Sequence, residues 1–573
     1  MAAARWHALA HAARRLGAAA LTHRSFLAVL ALGAALRAVA MLGYRPAIWF
    51  PDSYTYVVTA MRPRPDLVRP AGYSMFLRLL EPFHSFGVVV LVQHLIGLAT
   101  AVLVYHAVVR AGGRRWAGTL AAAPVLLDAY QIELEHLLVS DALFGLLVAG
   151  AVVAALREPT WRTVCAAGLL LAAATLTRTV GLPLIALVTA WLVVRLASGR
   201  PPKAGVPREA EIRTREAGVR PPKAPVHARE AEVRPPKAPV RAGDAEAPGA
   251  GVRAWVAGVR TWVAGLRWRR LGLAGLLAAV ALAPVGAYAA WFSATHHRFG
   301  IVGSNGVFLY SRTMAFADCD VMRPPPDLAV LCDPTPPARR PPSQEYIWAA
   351  GSPLVALPGI TFTEATDRLA GRFAYLAIRS QPADFAASVL SEFARTFTWG
   401  RPVYPDREIY GYYEFPVTPP PPPGRYPATV GAGFAERYEQ GAIGTWVSEP
   451  FAGWMRGYQH VVRLPGTALL AVLLVPPAVA IARTARRGRP AGTHRTAWTA
   501  WTLPWATSVA LLLIPAVTAQ FDYRYVLPAV PLACLAAALA GRGRPWSGAV
   551  PTGSCELPVK PRITIFHRIS SPR

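Results

Sequence analysis

Charged side chains are scarce in this sequence. Only 16% of its 573 residues are Asp, Glu, Lys or Arg, where a soluble domain carries roughly a quarter. That scarcity excludes an ordinary soluble enzyme. Cysteine is scarcer still: there are five, with no CxxC and no Cys/His cluster. Zinc-ribbon and thiol-redox chemistry are thereby set aside, and no metal or cofactor is expected. Acids are in short supply too, 32 against 60 Lys and Arg, for a net charge of +28. Such a balance can signal nucleic acid. Here the basic residues lie in loops between apolar runs rather than on one folded face, which excludes nucleic acid as a partner.

What the chain has in quantity is apolar sequence, with 53% hydrophobic residues in recurrent long runs. The class this implies is an all-α polytopic membrane protein of about ten spans. Arg5, Arg14, Arg15 and Arg24 precede the first run, Ser25 to Leu42, and place the amino terminus in the cytoplasm. Residues 1–196 hold six spans, with a first external loop over 43–86. Residues 197–270, where RPPKA recurs at Arg200, Arg220 and Arg234, have the composition of a disordered basic cytoplasmic loop, and Trp255, Trp262 and Trp268, interleaved with Arg, mark an interfacial helix leading into the next span. A seventh span covers 271–291, and 292–463 form an external domain of mixed α/β character. Three more spans occupy 464–540, and 541–573 are a cytoplasmic tail. Cys319 and Cys332 fall in the external domain, where an oxidising compartment favours a disulfide between them.

Asp52 stands a few residues beyond the first span, among Trp49, Phe50, Tyr54 and Tyr56. Aromatics of this kind mark the membrane boundary, and an ionisable group held there is a functional candidate. The alternation of sides brings three more features to the same edge: the acidic turn from Asp128 to Asp141, Arg178, and Arg524. Arginine binds phosphate by paired, charge-assisted hydrogen bonds. A carboxylate can take the proton of an attacking hydroxyl. A lipid-linked sugar phosphate, its tail in the bilayer and its head at this edge, would meet both.

The order of features resembles the GT-C superfamily, the phospholipid carrier-dependent glycosyltransferases that include protein O-mannosyltransferases and lipid A aminoarabinose transferases. The matching stretches are PDSYTYVVTA (Pro51 to Ala60), RPAGYSMFL (Arg69 to Leu77), VQHLIGLATAVLVY (Val92 to Tyr105), PVLLDAYQIELEHLLVSDALF (Pro124 to Phe144), LTRTVGLPL (Leu176 to Leu184) and YRYVLPAVP (Tyr523 to Pro531). The resemblance implies sugar transfer from a polyprenyl-phosphate donor to a glycan, lipid or protein hydroxyl on the external face of the cell membrane. It implies Asp52 as the base, and Arg178 and Arg524 on the carrier phosphate; Arg69, Tyr54 and His136 are further candidate substrate contacts. Many relatives have two adjacent acids in the first loop, whereas Ser53 follows Asp52 here. A second acid must then be Glu135 or Asp141. The competing class is a transporter or flippase of lipid-linked precursors, whose charged site belongs near the bilayer midplane.

Overall fold

The computed structural model of the chain describes residues 21–198, 250–419, 426–486 and 500–541. The described chain is mostly helical. Its strands amount to one antiparallel pair, Tyr44–Arg45 with Trp446–Val447. Among the described residues five helices are long and apolar enough to cross a bilayer: Arg24–Gly43, Phe86–Arg110, Leu271–His296, Gly466–Arg483 and Tyr523–Ala540. Asp141–Leu156, Trp161–Thr177, Gly181–Ala197 and Thr502–Thr518 are apolar but shorter. Val148, Leu171, Leu192, Leu277, Leu511 and Leu535, each from a different helix, share one buried core.

The long apolar stretch after Arg162 divides where TLTRTVGLP predicts. One helix ends at Thr177 and the next starts at Gly181, with Arg178 extended between them. Pro183 falls in the first turn of the second helix, where its missing N–H costs nothing.

The first loop is folded, not slack. It carries the helices Pro51–Met61 and Gly72–Leu80, and Tyr426–Glu439 packs across them. That approach is close: a Cβ on Gly431 would come within 2.5 Å of the Tyr54 Cβ, so the position requires glycine. Backbone bonds from Ile48 N to His136 O (3.3 Å) and from Leu138 N to Ile48 O (3.2 Å) tie the start of the loop to the end of the Ala129–His136 helix.

One expectation is corrected. Among its described residues, segment 292–463 holds helices joined by turns and one two-residue strand, Trp446–Val447, and is not mixed α/β. Its short apolar runs reflect proline rather than strand periodicity: Pro324 to Pro326 and Pro336, Pro337, Pro341 and Pro342 chop the chain into single turns such as Cys319–Met322 and Glu345–Trp348. Those turns pack on the amphipathic helix Glu364–Ser380 around Tyr310 and Phe373, and the Cys319–Cys332 disulfide closes the cluster. At the end of 197–270, where Trp255, Trp262 and Trp268 pointed to a helix leading into the next span, the chain is helical. The helix that includes Leu271–His296 already begins at Ala250. The RPPKA repeats and nearly all of the 541–573 tail lie outside the described residues.

Candidate active site

Asp52 occupies the first turn of Pro51–Met61, where Pro51 supplies a preset helical φ and Phe50 is the N-cap residue. Ser53 holds this turn in place. Its Oγ accepts from Phe50 N (3.0 Å) and donates to Leu138 O (2.9 Å). A carboxylate at position 53 could not make the second bond, because it has no proton to give.

Two arginines from distant parts of the chain converge on Asp52. Arg69 Nη2 donates to Oδ1, and Arg524 Nη1 donates to Oδ2 at 3.0 Å. Arg524 comes from the Tyr523–Tyr525 turn, which is capped by Asp522. Its Nε lies 3.3 Å from Asp522 Oδ2, which also accepts from Tyr413 OH at 2.8 Å. Phe50 and Tyr525 flank the Arg524 guanidinium at 4.7 and 5.5 Å.

Arg178 lies 5.3 Å from the Tyr525 ring and is paired with Asp141. Asp141 Oδ2 is buried and has no hydrogen-bond partner. Tyr56 bridges the groups, its hydroxyl 3.3 Å from Ser140 Oγ and its ring 5.8 Å from the Arg69 guanidinium.

The Asp52 side chain keeps 11% of its surface exposed. It opens into a cavity of about 170 Å³. Asp52, Arg69, Asp522 and Arg524 form the polar wall, and Ser311, Ser343, Gln344 and Trp348 of the 292–463 segment face them. Burial pushes the Asp52 carboxyl up, but the charges and hydrogen bonds of Arg69 and Arg524 pull harder and hold it at about 2. Asp522 shifts the other way: burial raises it, against the pull of Arg524 and Tyr413. The wall thus offers two guanidiniums, one firmly ionised carboxylate and one that resists ionisation. An anion entering here meets donors that already carry charge.

Sequence reasoning placed Asp52, Arg69, Asp141, Arg178 and Arg524 together, and the structure brings them to one cluster. It does not bring Glu135, His136 or Tyr54. Glu135 is fully buried and takes both prongs of Arg37, at 2.7 and 2.8 Å, plus Gln131 Nε2 at 2.9 Å. His136 is fully buried as well; Nε2–H donates to Tyr44 O (2.7 Å), and Nδ1 lies 3.1 Å from His94 Nε2. His94 Nδ1 lies 3.1 Å from Glu135. Tyr54 is buried against Trp49, with ring centroids 4.9 Å apart. Of the two open choices for a second acid, Asp141 is the one beside the cluster.

Three residues were missed. Arg37 and His94 lie within apolar helices, and an ionisable side chain in such a setting always needs a partner. That signal was present and unused. Asp522 has no signal beyond its nearness to Arg524. Among the described residues no group of three His, Cys, Asp or Glu is placed to hold a metal ion. No family model, curated protein or solved structure matches the chain.

Proposed function

We propose that the chain is a polytopic membrane glycosyltransferase of the GT-C type. It moves a sugar from a polyprenyl-phosphate carrier to a hydroxyl of a cell-envelope glycan, lipid or protein. The observation that carries the reading is a carboxylate clamped by two guanidiniums at the wall of a cavity, just beyond the end of an apolar helix. In this reading about ten spans cross the cell membrane, both termini are cytoplasmic, and the Asp52 cavity opens on the external face.

The acceptor oxygen bonds to the anomeric carbon from the side opposite the carrier. The carbon–oxygen bond to the phosphate breaks, and the phosphate keeps the electron pair. The hydroxyl proton goes to Asp52. Inversion follows from the single displacement. A carboxyl at about 2 is a feeble base. Donor binding corrects this, because a phosphate drawn to Arg69 and Arg524 offsets the two charges that depress Asp52. Basicity therefore rises only when the donor is in place. Arg178, which like Arg524 lies beside the Tyr525 ring, is the further ligand for the leaving phosphate.

The test is transfer from a synthetic polyprenyl-phosphate sugar by purified protein in nanodiscs, with donor binding measured separately. Arg524→Ala should weaken both, since the phosphate is charged before and during the reaction. Arg524→Lys should restore part of the loss, keeping the charge without the planar fork. One observation favours the runner-up, a flippase of lipid-linked precursors: Arg37 and His94 are ionisable groups inside apolar helices. Donor moved between leaflets with no glycosidic bond formed would replace the transferase by that reading.

A further inference from the structure

The Asp52 cavity has neighbours of different character. A small one, of about 70 Å³, is lined by Glu133, Arg401, Leu464 and Leu527 and shares Arg524 and Phe521 with it. A much larger one is a cleft of about 810 Å³ in the 292–463 segment, between the Pro-rich turns around Arg340 and the helix Pro382–Arg395. Asp384, Ala387 and Ser391 on that helix and Pro341 opposite are exposed, so the cleft is open to water. Among the described residues of its lining there is no Leu, Ile, Val or Met. An acyl chain entering here would leave water for little apolar surface. The cleft suits a hydrated solute.

Ser343, Pro405 and Gln520 line both the cleft and the Asp52 cavity, so the partition between the two is one side chain thick. Its frame is fixed on either side of Gln520. Arg312 Nε and Nη2 both donate to Ala516 O at 3.1 Å, near the end of Thr502–Thr518, and Nη1 donates to Ser388 Oγ at 2.7 Å. Glu392 accepts from Phe521 N at 2.6 Å and from Tyr404 OH at 2.8 Å. The Gln520 side chain itself spans the gap on two neutral hydrogen bonds: Ser343 N donates to Oε1, and Nε2 donates to Tyr404 OH, each at 3.0 Å. Bonds of this kind exchange for bonds to water at small net cost. A rigid frame thus surrounds one side chain that is free to swing.

We propose that Gln520 is the latch of an aqueous entrance to the Asp52 cavity, and that the acceptor is a hydroxyl compound drawn from water rather than from the bilayer. A hydroxyl replaces both functions of the displaced amide, accepting from Ser343 N and donating to Tyr404 OH. An acyl chain replaces neither. The acceptor's identity as a water-phase compound rests on the transferase reading; the entrance does not.

The test therefore reads access first. Thr55 lines the Asp52 cavity and not the cleft. Thr55→Cys is made in full-length protein that also carries Cys165→Ser, Cys534→Ser and Cys555→Ser. In nanodiscs its modification by sulfonatoethyl methanethiosulfonate, a charged reagent confined to water, is timed by mass spectrometry. Gln520→Ala should speed modification about tenfold, as for loss of two neutral bonds from the closed state. A plug made by Ala387→Trp with Ser391→Trp, one helical turn apart on the exposed rim, should slow it by a similar factor. Both plug positions are exposed, so a blocked entrance is separable from a lost fold. An unchanged rate in the plugged variant would place the entrance elsewhere, and an unchanged rate in Gln520→Ala would remove the latch; either overturns the proposal. Transfer is then measured in the plugged variant. Undiminished transfer would overturn the water-phase acceptor. Access that responds to both variants, with no sugar transferred by wild type, would keep the entrance and remove the transferase reading instead.

Discussion

Two acid–arginine clusters stand close together in this protein, and they are built to opposite specifications. Around Glu135 every prong is answered: Arg37 also donates to the carbonyls of Gly33, Val125 and Leu126, and no solvent reaches either partner. Around Asp52 the same pair of groups borders a cavity, and its arginines keep 12–18% of their surface. The first arrangement leaves no valence for a visitor. The second spends its donors on an internal acid that an anion can displace. Complete hydrogen bonding identifies a strut, and partial exposure of the same chemistry identifies a site.

The difference can be broken experimentally. Arg37→Leu strands a buried carboxylate, so it should cost about 3–5 kcal/mol of stability, read as a fall in the unfolding midpoint in detergent. Adding Glu135→Leu should recover much of that loss, because the unpaired charge is gone. A single variant as stable as wild type would remove the strut from the account. Gly97→Ala acts on the same cluster, since a Cβ there collides with the Glu135 carboxylate.

Asp52→Asn should behave in the reverse way. Its unfolding midpoint should fall less than that of Arg37→Leu, since its arginines keep some contact with solvent, while transfer falls by about 10² to 10⁴, the share usually supplied by a positioned base. Transfer at the wild-type rate would shift the role to Asp141. Ser53→Ala lies where the two clusters meet. It leaves Phe50 N and Leu138 O unsatisfied, at about 1–3 kcal/mol. Both stability and transfer should drop, and a loss in stability alone would show that Asp52 needs no such anchor.

The smallest effect separates the clusters by pH. Burial, with His94 beside it, lowers His136 from 6.5 to about 3. The unfolded chain therefore binds a proton that the folded chain refuses, and stability is lost as pH falls from about 6.5 toward 3. Asp52 is lowered from 3.8 to about 2. Its contribution is present above about 4 and disappears only as pH falls toward 2. Unfolding midpoints measured down the acid limb should show His136→Gln flattening the upper window and Asp52→Asn only the lower one.

How much of this was legible beforehand depends on what a linear pattern can carry. Asp52, Arg178 and Arg524 were legible because sidedness follows from apolar runs and basic loops, and sidedness alone gathers them at one edge. Glu133 and Glu135 were not separable. Two residues apart on a helix they point about 200° from each other, one toward Arg401's cavity and the other into the grip of Arg37. Arg401 follows Trp399 and Gly400 in a stretch with no helical or strand period, so nothing in order or spacing set it apart. The α/β expectation for 292–463 failed for a related reason. Proline breaks an apolar run as a strand end does, and only the packing on Glu364–Ser380 tells the two apart.

Arg524 is a wall shared by two compartments, and one guanidinium cannot turn both ways at once. A ligand that recruits it in the Asp52 cavity takes it from the cavity lined by Glu133 and Arg401, and the reverse holds equally. By linkage the factor by which the first ligand weakens the second must equal the factor by which the second weakens the first. Arg524 is the charged side chain that lines both cavities, beside Phe521, so coupling between ligands held in the two would run through it.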